Sequence, residues 1–273
     1  MDERLDLMKI DPRRVLDAGC GARADSRRLR ARYPRCAIVA VDDVVAEFAA
    51  FRVKHGLINR ILAGIGLKSG LGAGCGPWPV VGTFDRLPCA TASVDLVWSN
   101  LALHRQGDPL PVLREMHRVL AAEGLLMFST LGPDTLAELR RSFATADPGS
   151  PHVHDFIDMH DLGDMLVASG FAAPVMDMET LTLTYEDVMS LARDLKGMGG
   201  ANALIARRHG LSGRALWNRL RDAYEPLRRN GRLPATFEIV YGHAWKPRPR
   251  VSSATETLQV VKFHPSVPIG TAT

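Results

Sequence analysis

Apolar residues follow two rhythms along this chain, and the switch from one to the other predicts its elements. Short, mostly apolar stretches read as strands at 14–18, 79–84, 94–99 and 125–130, and 37–41 is a continuous apolar run, as expected of a strand buried on both faces. Between them the apolar positions recur at helical spacing. Residues 26–32 form one such segment, stopped by Pro34, and 44–54 form another. In 109–120 the residues Leu110, Leu113, Met116, His117 and Leu120 share one face. The order strand, loop, helix, strand, with Asp42 and Asp43 closing the second strand, opens a doubly wound parallel sheet. From 55 to 78 the pattern breaks. Leu57, Ile58, Ile61, Leu62 and Ile65 suggest an amphipathic helix, followed by glycines at 70, 72, 74 and 76. No strand runs into those glycines and no lysine follows, so they read as an insertion and not as a phosphate loop. Further on, Pro133 is placed at the first position of a helix reaching about Ala144. Residues 161–169 read as a helix ended by Gly170. Leu181, Leu183 and Tyr185 alternate as in a strand, 187–196 and 212–229 are helical, and 236–245 is the last strand. The tail after Pro247 is rich in Pro and Ser except for the apolar run 258–263, and no internal repeat is visible.

The chemistry concentrates at the end of the first strand, in Val15-Leu16-Asp17-Ala18-Gly19-Cys20-Gly21, and at Asp42, 21 residues beyond Gly21. Gly19 and Gly21 let the backbone turn sharply and let a ligand approach it. The helix that follows presents free N–H groups to an anionic part of a ligand. Asp42 offers a charged acceptor to ribose hydroxyls. Dinucleotide sites share this plan but carry a third glycine, where this chain has Ala24. Asp17 lies two residues before the first glycine, and the resulting D-x-G-x-G is similar to the S-adenosylmethionine motif. A second constellation, Asp85-Arg86-Leu87-Pro88 and then 93–104, places small and polar residues at the carboxyl end of a strand, where open α/β sheets bind ligands. A third, 113–126 followed by Phe128-Ser129-Thr130, resembles the helix–turn–strand of class I methyltransferases, with Ala122-Glu123-Gly124 in place of P-G-G.

Later segments make the resemblance specific. Residues 99–103, 128–136, 158–164, 194–199 and 231–238 are similar to the malonyl-acyl-carrier-protein O-methyltransferases of biotin synthesis, over about 13 to about 246. The resemblance implies a Rossmann-like α/β fold, a seven-stranded mostly parallel sheet with helices on both faces and an antiparallel last strand. It implies one methyltransferase domain over 1–273: a cofactor-binding half at 1–132, cap and sheet edge at 133–250, and a tail at 251–273. The cofactor is S-adenosylmethionine, with contacts carried onto Asp17, Gly19, Gly21, Asp42, Thr83, Phe84 and Asn100. Leu101, Leu103 and His104 fall to the pocket wall. The acceptor that the resemblance implies is the free carboxylate of a malonyl thioester on an acyl carrier protein. A carboxylate is already ionised at neutral pH, so no catalytic acid or base is assigned. This chain departs from the family at Arg23, where a glycine is usual, at Thr83, where an acid is usual, and at Arg105, where an aromatic residue is usual. It also has less helix before the first strand than the family carries. A second similarity covers the same places: the mitochondrial complex I assembly factor that hydroxylates an arginine and retains the methyltransferase fold. An arginine hydroxylase and a non-catalytic assembly protein are therefore the rival readings.

Composition narrows the setting. The four cysteines at 20, 36, 75 and 89 form no C-x-x-C pair, which gives neither a zinc spacing nor a disulfide framework and fits a reducing cytoplasm. No apolar run reaches the ~20 residues of a membrane span, and residues 1–10 do not read as a signal peptide. The net charge of +4 is concentrated, because 201–250 holds eleven Lys and Arg against three Asp and Glu. Such a face attracts an acidic partner. Nucleic acid and a carrier protein both qualify, a solvated helical surface is the plain alternative, and the resemblance favours the carrier. His152, His154 and His160 with Asp155, Asp158 and Asp161 imitate a metal cluster, but no metal is expected there.

Overall fold

The computed structural model describes residues 1–21, 24–43, 78–200, 202–208, 210 and 212–249. Arg23, the expected helix at 44–54, the insertion up to residue 77 and the tail lie outside the described residues. The sheet has seven strands: β1 (Arg14–Ala18), β2 (Ala37–Asp42), β3 (Trp78–Val81), β4 (Val94–Asn100), β5 (Leu120–Leu131), β6 (Ala172–Tyr185) and β7 (Leu233–Trp245). Their order is β3-β2-β1-β4-β5-β7-β6. The first five strands are mutually parallel, while β7 runs antiparallel to both of its neighbours. This is the Rossmann-like arrangement expected, with the chain direction reversing its outward march between β1 and β4.

Helices cover both faces. On one face, α1 (Asp2–Leu5) and α2 (Ala24–Arg32) pack Leu5 and Leu29 against Val15, Ile38, Leu96, Trp98 and Met127. On the other, α3 (Pro109–Val119) and α5 (Met159–Ala168) pack Val112, Met116, Leu162 and Leu166 against Leu16, Val97, Leu126 and Phe128. The helix starts obey local chemistry. Asp108 accepts from Leu110 N ahead of Pro109, and Asp158 accepts from His160 N. Gly170, at φ +92°, ends α5 as expected.

The C-terminal half builds a second core. Here α4 (Ala137–Ala146), α6 (Val188–Gly197) and α7 (Arg214–Tyr224) enclose Leu139, Leu191, Leu220 and Tyr224 with Leu233, Ala235 and Phe237 of β7. This core stands beyond the carboxyl edge of the parallel strands. The last β5–β7 pair is Leu131 with Ile239, and the six residues from Leu233 to Glu238 pair only with β6. At ~3.3 Å per residue the hairpin therefore overhangs β5 by roughly 20 Å.

Several boundaries differ from the expectation. The helix placed at Pro133 begins at Ala137, because residues 132–138 cover the free edge of the overhang. Gly132 N donates to Glu238 O at 2.9 Å and Leu136 N to Thr236 O at 2.6 Å. The buried Glu238 carboxylate accepts from Asp134 N at 2.8 Å. A Cβ on Gly132 would lie 2.5 Å from that carboxyl carbon. The strand expected at 79–84 starts at Trp78, which shortens the insertion, and stops at Val81 because Thr83 turns back to bridge Arg86. β6 runs from Ala172, well before the alternation at Leu181, since its outer edge is solvated and its polarity hides the period. The helix expected to reach Arg229 ends at Tyr224 and continues only as a 3-10 turn, Glu225–Leu227, opened by Pro226.

Candidate active site

The loop after β1 is tied down on both sides. Asp17 is buried and accepts from the Ser26 hydroxyl and backbone N–H in the first turn of α2. Asp42, fully buried at the end of β2, accepts from Gly21 N at 2.9 Å. Gly19 N donates to Val41 O at 2.8 Å. Gly19 has φ +88°, and a Cβ there would lie 2.2 Å from the Ala102 Cβ and 3.6 Å from the Phe84 ring. Glycine is needed at 19 because β1, Phe84 and Ala102 close on it. At Gly21, φ is +41° and nothing among the described residues lies within 4 Å of the added atom.

Asn100, at the end of β4, is fixed at both ends of its amide. Its nitrogen donates to Asp25 Oδ2 at 2.7 Å, and its oxygen accepts from the Ser129 hydroxyl at 2.5 Å. Ser129 also accepts from Leu101 N at 3.1 Å, which holds Leu101 at φ +49°. Trp98 Nε1 reaches the same Asp25 oxygen at 3.4 Å. A cavity of about 220 Å³ opens here, lined by Asp25, Trp98, Asn100, Leu101, Ser129 and Tyr241 among others. It lies between the α1–α2 layer and the overhanging hairpin.

Three carboxylates therefore surround the loop. Burial pushes the Asp17 carboxyl up to about 7, with the negative charges of Asp25 and Asp42 adding to the rise. The main cause is burial, so the shift marks a dry site; the smaller contributions of Asp25 and Asp42 are the part that a bound cation would offset.

The structure brings Asp17, Gly19, Gly21, Asp42 and Phe84 into one cluster and sets Asn100 beside it through Asp25 and Trp98. Thr83 is exposed one residue beyond Gly82, whose N–H donates to Asp42 O at 3.1 Å. Of the pocket-wall residues, Leu101 lines the cavity. Leu103 does not: the 3-10 turn Leu103–Arg105 turns it into the main core at 3% exposure. His104 is half-buried, edge-on to Phe156 at 6.0 Å, and its Nδ1 is buried without a partner among the described residues. Burial, with Arg105 and His154 nearby, pulls its imidazole down to about 4, so it is neutral at physiological pH. The histidine–aspartate stretch divides instead of converging. His152 pairs with Asp147 and stacks on Phe143, while His160 pairs with Asp158. Among the described residues no group of three or more His, Cys, Asp or Glu could hold a metal ion. Asp25, Ser26 and Ser129 are site residues that the motifs did not identify. An acid and a hydroxyl at the start of the helix after a glycine loop are the signal that could have found the first two.

The fold and this site define a class I methyltransferase. Residues 16–128 match the methyltransferase domain family. The YcgJ protein from Bacillus subtilis shares the fold with a TM-score of 0.55 at 16% identity, covering 90% of this chain and 97% of that one. The sequence relatives are much nearer. A malonyl-acyl-carrier-protein O-methyltransferase from Laribacter hongkongensis is 47% identical over 98% of this chain and 88% of its own length. Another from Gallionella capsiferriformans is 49% identical over 92% of this chain and 83% of its own. The chain belongs to the malonyl-acyl-carrier-protein O-methyltransferase family.

Proposed function

We propose that this protein methylates the free carboxylate of a malonyl thioester carried by an acyl carrier protein, using S-adenosylmethionine, as a cytoplasmic step of biotin synthesis. Membership of the family over nearly the whole chain, cap included, is the observation that carries this reading. The residues present suit the cofactor, which is cationic at sulfur and at its ammonium group. The carboxyl groups of Asp17, Asp25 and Asp42 around the loop suit that charge, and Gly21 leaves its backbone open to a ligand among the described residues.

When bound, S-adenosylmethionine supplies a sulfonium methyl carbon, which passes to a carboxylate oxygen while the carbon–sulfur bond breaks and its electron pair returns to sulfur. The chain's own contribution is orientation. Asp17, Gly19 and Gly21 shape the loop for the amino-acid end of the cofactor. Asp42, which holds the loop, would accept from the ribose hydroxyls, and Thr83 and Phe84 would lie toward the base. Asn100, immobilised by Asp25 and Ser129, fixes the edge of the crevice. The acceptor is ionised before it binds, so no residue need move a proton. Positioning of this kind contributes ~7–11 kcal/mol to a barrier. In this reading residues 133–250 form the cap over the crevice and the edge of the sheet within a single domain.

The test is incubation with S-adenosylmethionine and malonyl-acyl carrier protein, followed by mass spectrometry of the carrier. A gain of one methyl group on the malonyl carrier and none on the acetyl carrier is expected. No gain with either would defeat the proposal.

A further inference from the structure

Arg140 is a cation short of an anion. It lies in the first turn of α4, above the carboxyl end of β5, and is only partly exposed. Its Nη1 donates to Pro133 O and its Nη2 to His154 O, both at 3.0 Å. Its Nε is buried with no partner, and no Asp or Glu forms an ion pair with it among the described residues. Desolvated guanidinium groups are ordinarily matched by a carboxylate or phosphate, since the charge loses its water without recompense otherwise. Two backbone carbonyls supply partial charges only, and they leave three of the five N–H groups unused.

Its position links that charge to the reaction site. His154, which accepts from Arg140, belongs to the segment that also carries Phe156. Phe156 packs edge-on against His104, whose Nδ1 is also buried without a partner among the described residues. His104 follows Ala102, which closes against Gly19 of the cofactor loop. Arg140 is thus joined through His154, Phe156 and His104, by contacts and by chain neighbours, to Ala102 beside the cofactor loop, at the carboxyl end of the sheet where open α/β folds bind their substrates.

We propose that Arg140 is the anchor for the anionic end of the acceptor: the remaining N–H groups of Nη1 and Nη2 hold one oxygen of the malonyl carboxylate and leave the other to take the methyl group. This rests on the malonyl reading above. Methylation removes the negative charge, so the same contact that admits the acid releases the ester. A pantetheine thioester ending in methyl, or in a methyl ester, finds a desolvated guanidinium with nothing to offset it, and is rejected for that reason.

The experiment compares malonyl-pantetheine with its methyl ester as ligands of the S-adenosylhomocysteine-loaded protein, by calorimetry. The wild type is expected to bind the acid about tenfold to a hundredfold more tightly than the ester. Arg140→Gln is expected to bind both alike while its affinity for S-adenosylhomocysteine stays unchanged. Arg140→Lys, which keeps the charge and loses the fork, should fall between them and serves if the glutamine variant does not fold. A variant that still distinguishes acid from ester at wild-type ratio overturns the assignment. If the wild type makes no distinction, the malonyl reading itself fails, and the anchor with it. A loss of cofactor affinity in parallel with acceptor affinity would mark Arg140 as a structural support and also overturn the proposal.

Discussion

With the cofactor placed beside Asp17 as proposed, its binding becomes a proton-linked event. The Asp17 carboxyl titrates at about 7 against an ordinary value of 3.8, chiefly because it is buried. If a bound cation restores the ordinary value, one proton leaves on binding at any pH between the two. At pH 8 the group is already ionised and the ligand gains nothing from it. At pH 6 about nine-tenths of the free protein carries the proton, which must be removed first, so affinity for S-adenosylmethionine should be about tenfold weaker, or ~1.4 kcal/mol. His104, held near 4, stays neutral across this range and does not confuse the reading. The assay is calorimetric titration at pH 6, 7 and 8, in buffers of different ionisation enthalpy so that released protons are counted. Asp17→Asn should flatten the profile. The sign for the unliganded fold is the opposite of the usual carboxylate. Folding binds this proton more tightly than the unfolded chain does, so stability is lost as pH rises from about 4 to about 7. The loss is at most ~4 kcal/mol, and less where the fold relaxes. A wild-type affinity that is constant from pH 6 to 8, with no proton release, would refute the reasoning.

Three further outcomes follow from the geometry. Gly19→Ala places a methyl group 2.2 Å from Ala102 at a positive φ, and should cost ~1–3 kcal/mol from backbone strain alone. Thermal unfolding should therefore drop by several degrees, together with cofactor binding. Asp42→Ala releases Gly21 N and should weaken S-adenosylhomocysteine binding by about tenfold or more, while unfolding by denaturant stays cooperative. Normal affinity in that variant would remove Asp42 from the site. Tyr224 is buried in the cap and donates to Pro234 O at 2.7 Å. Tyr224→Phe should lower stability by ~1–2 kcal/mol and leave turnover per folded molecule unchanged, since the bond secures the hairpin and not the crevice.

Periodicity was most informative where both sides of an element are dry. The runs of β1, β2 and β4 are apolar on both faces, so their places and the acids that close them could be read directly. β6 could be read only from Leu181 onward, because an edge strand with a solvated side has no need of alternating polarity. Pro133 failed as a helix start because the competing demand is tertiary: the free edge of β7 takes the backbone of 132–138, and local preference yields to it. Asp17 was legible from spacing, yet its partner Ser26 was not, because a serine in a first helical turn is unremarkable until the loop has folded. Leu103 was misplaced for a related reason. A one-residue rotation in a 3-10 turn decides whether a side chain faces core or crevice, and no periodicity operates over three residues. Arg140 was invisible, since a missing counter-charge exists only in three dimensions.

The insertion of β7 between β5 and β6 constrains how the molecule is made. Strands β1 to β5 can assemble as the polypeptide leaves the ribosome, but β6 has no hydrogen-bonded neighbour until Leu233–Trp245 arrives. Until then β5 also presents an open edge, and the cap helices have no β7 side chains to close upon. Contacts of this sequence separation form late and slowly. A translation stall before Leu233–Trp245 has emerged would thus leave a nearly complete parallel sheet with a sticky flank, the kind of intermediate that chaperones hold and aggregates recruit.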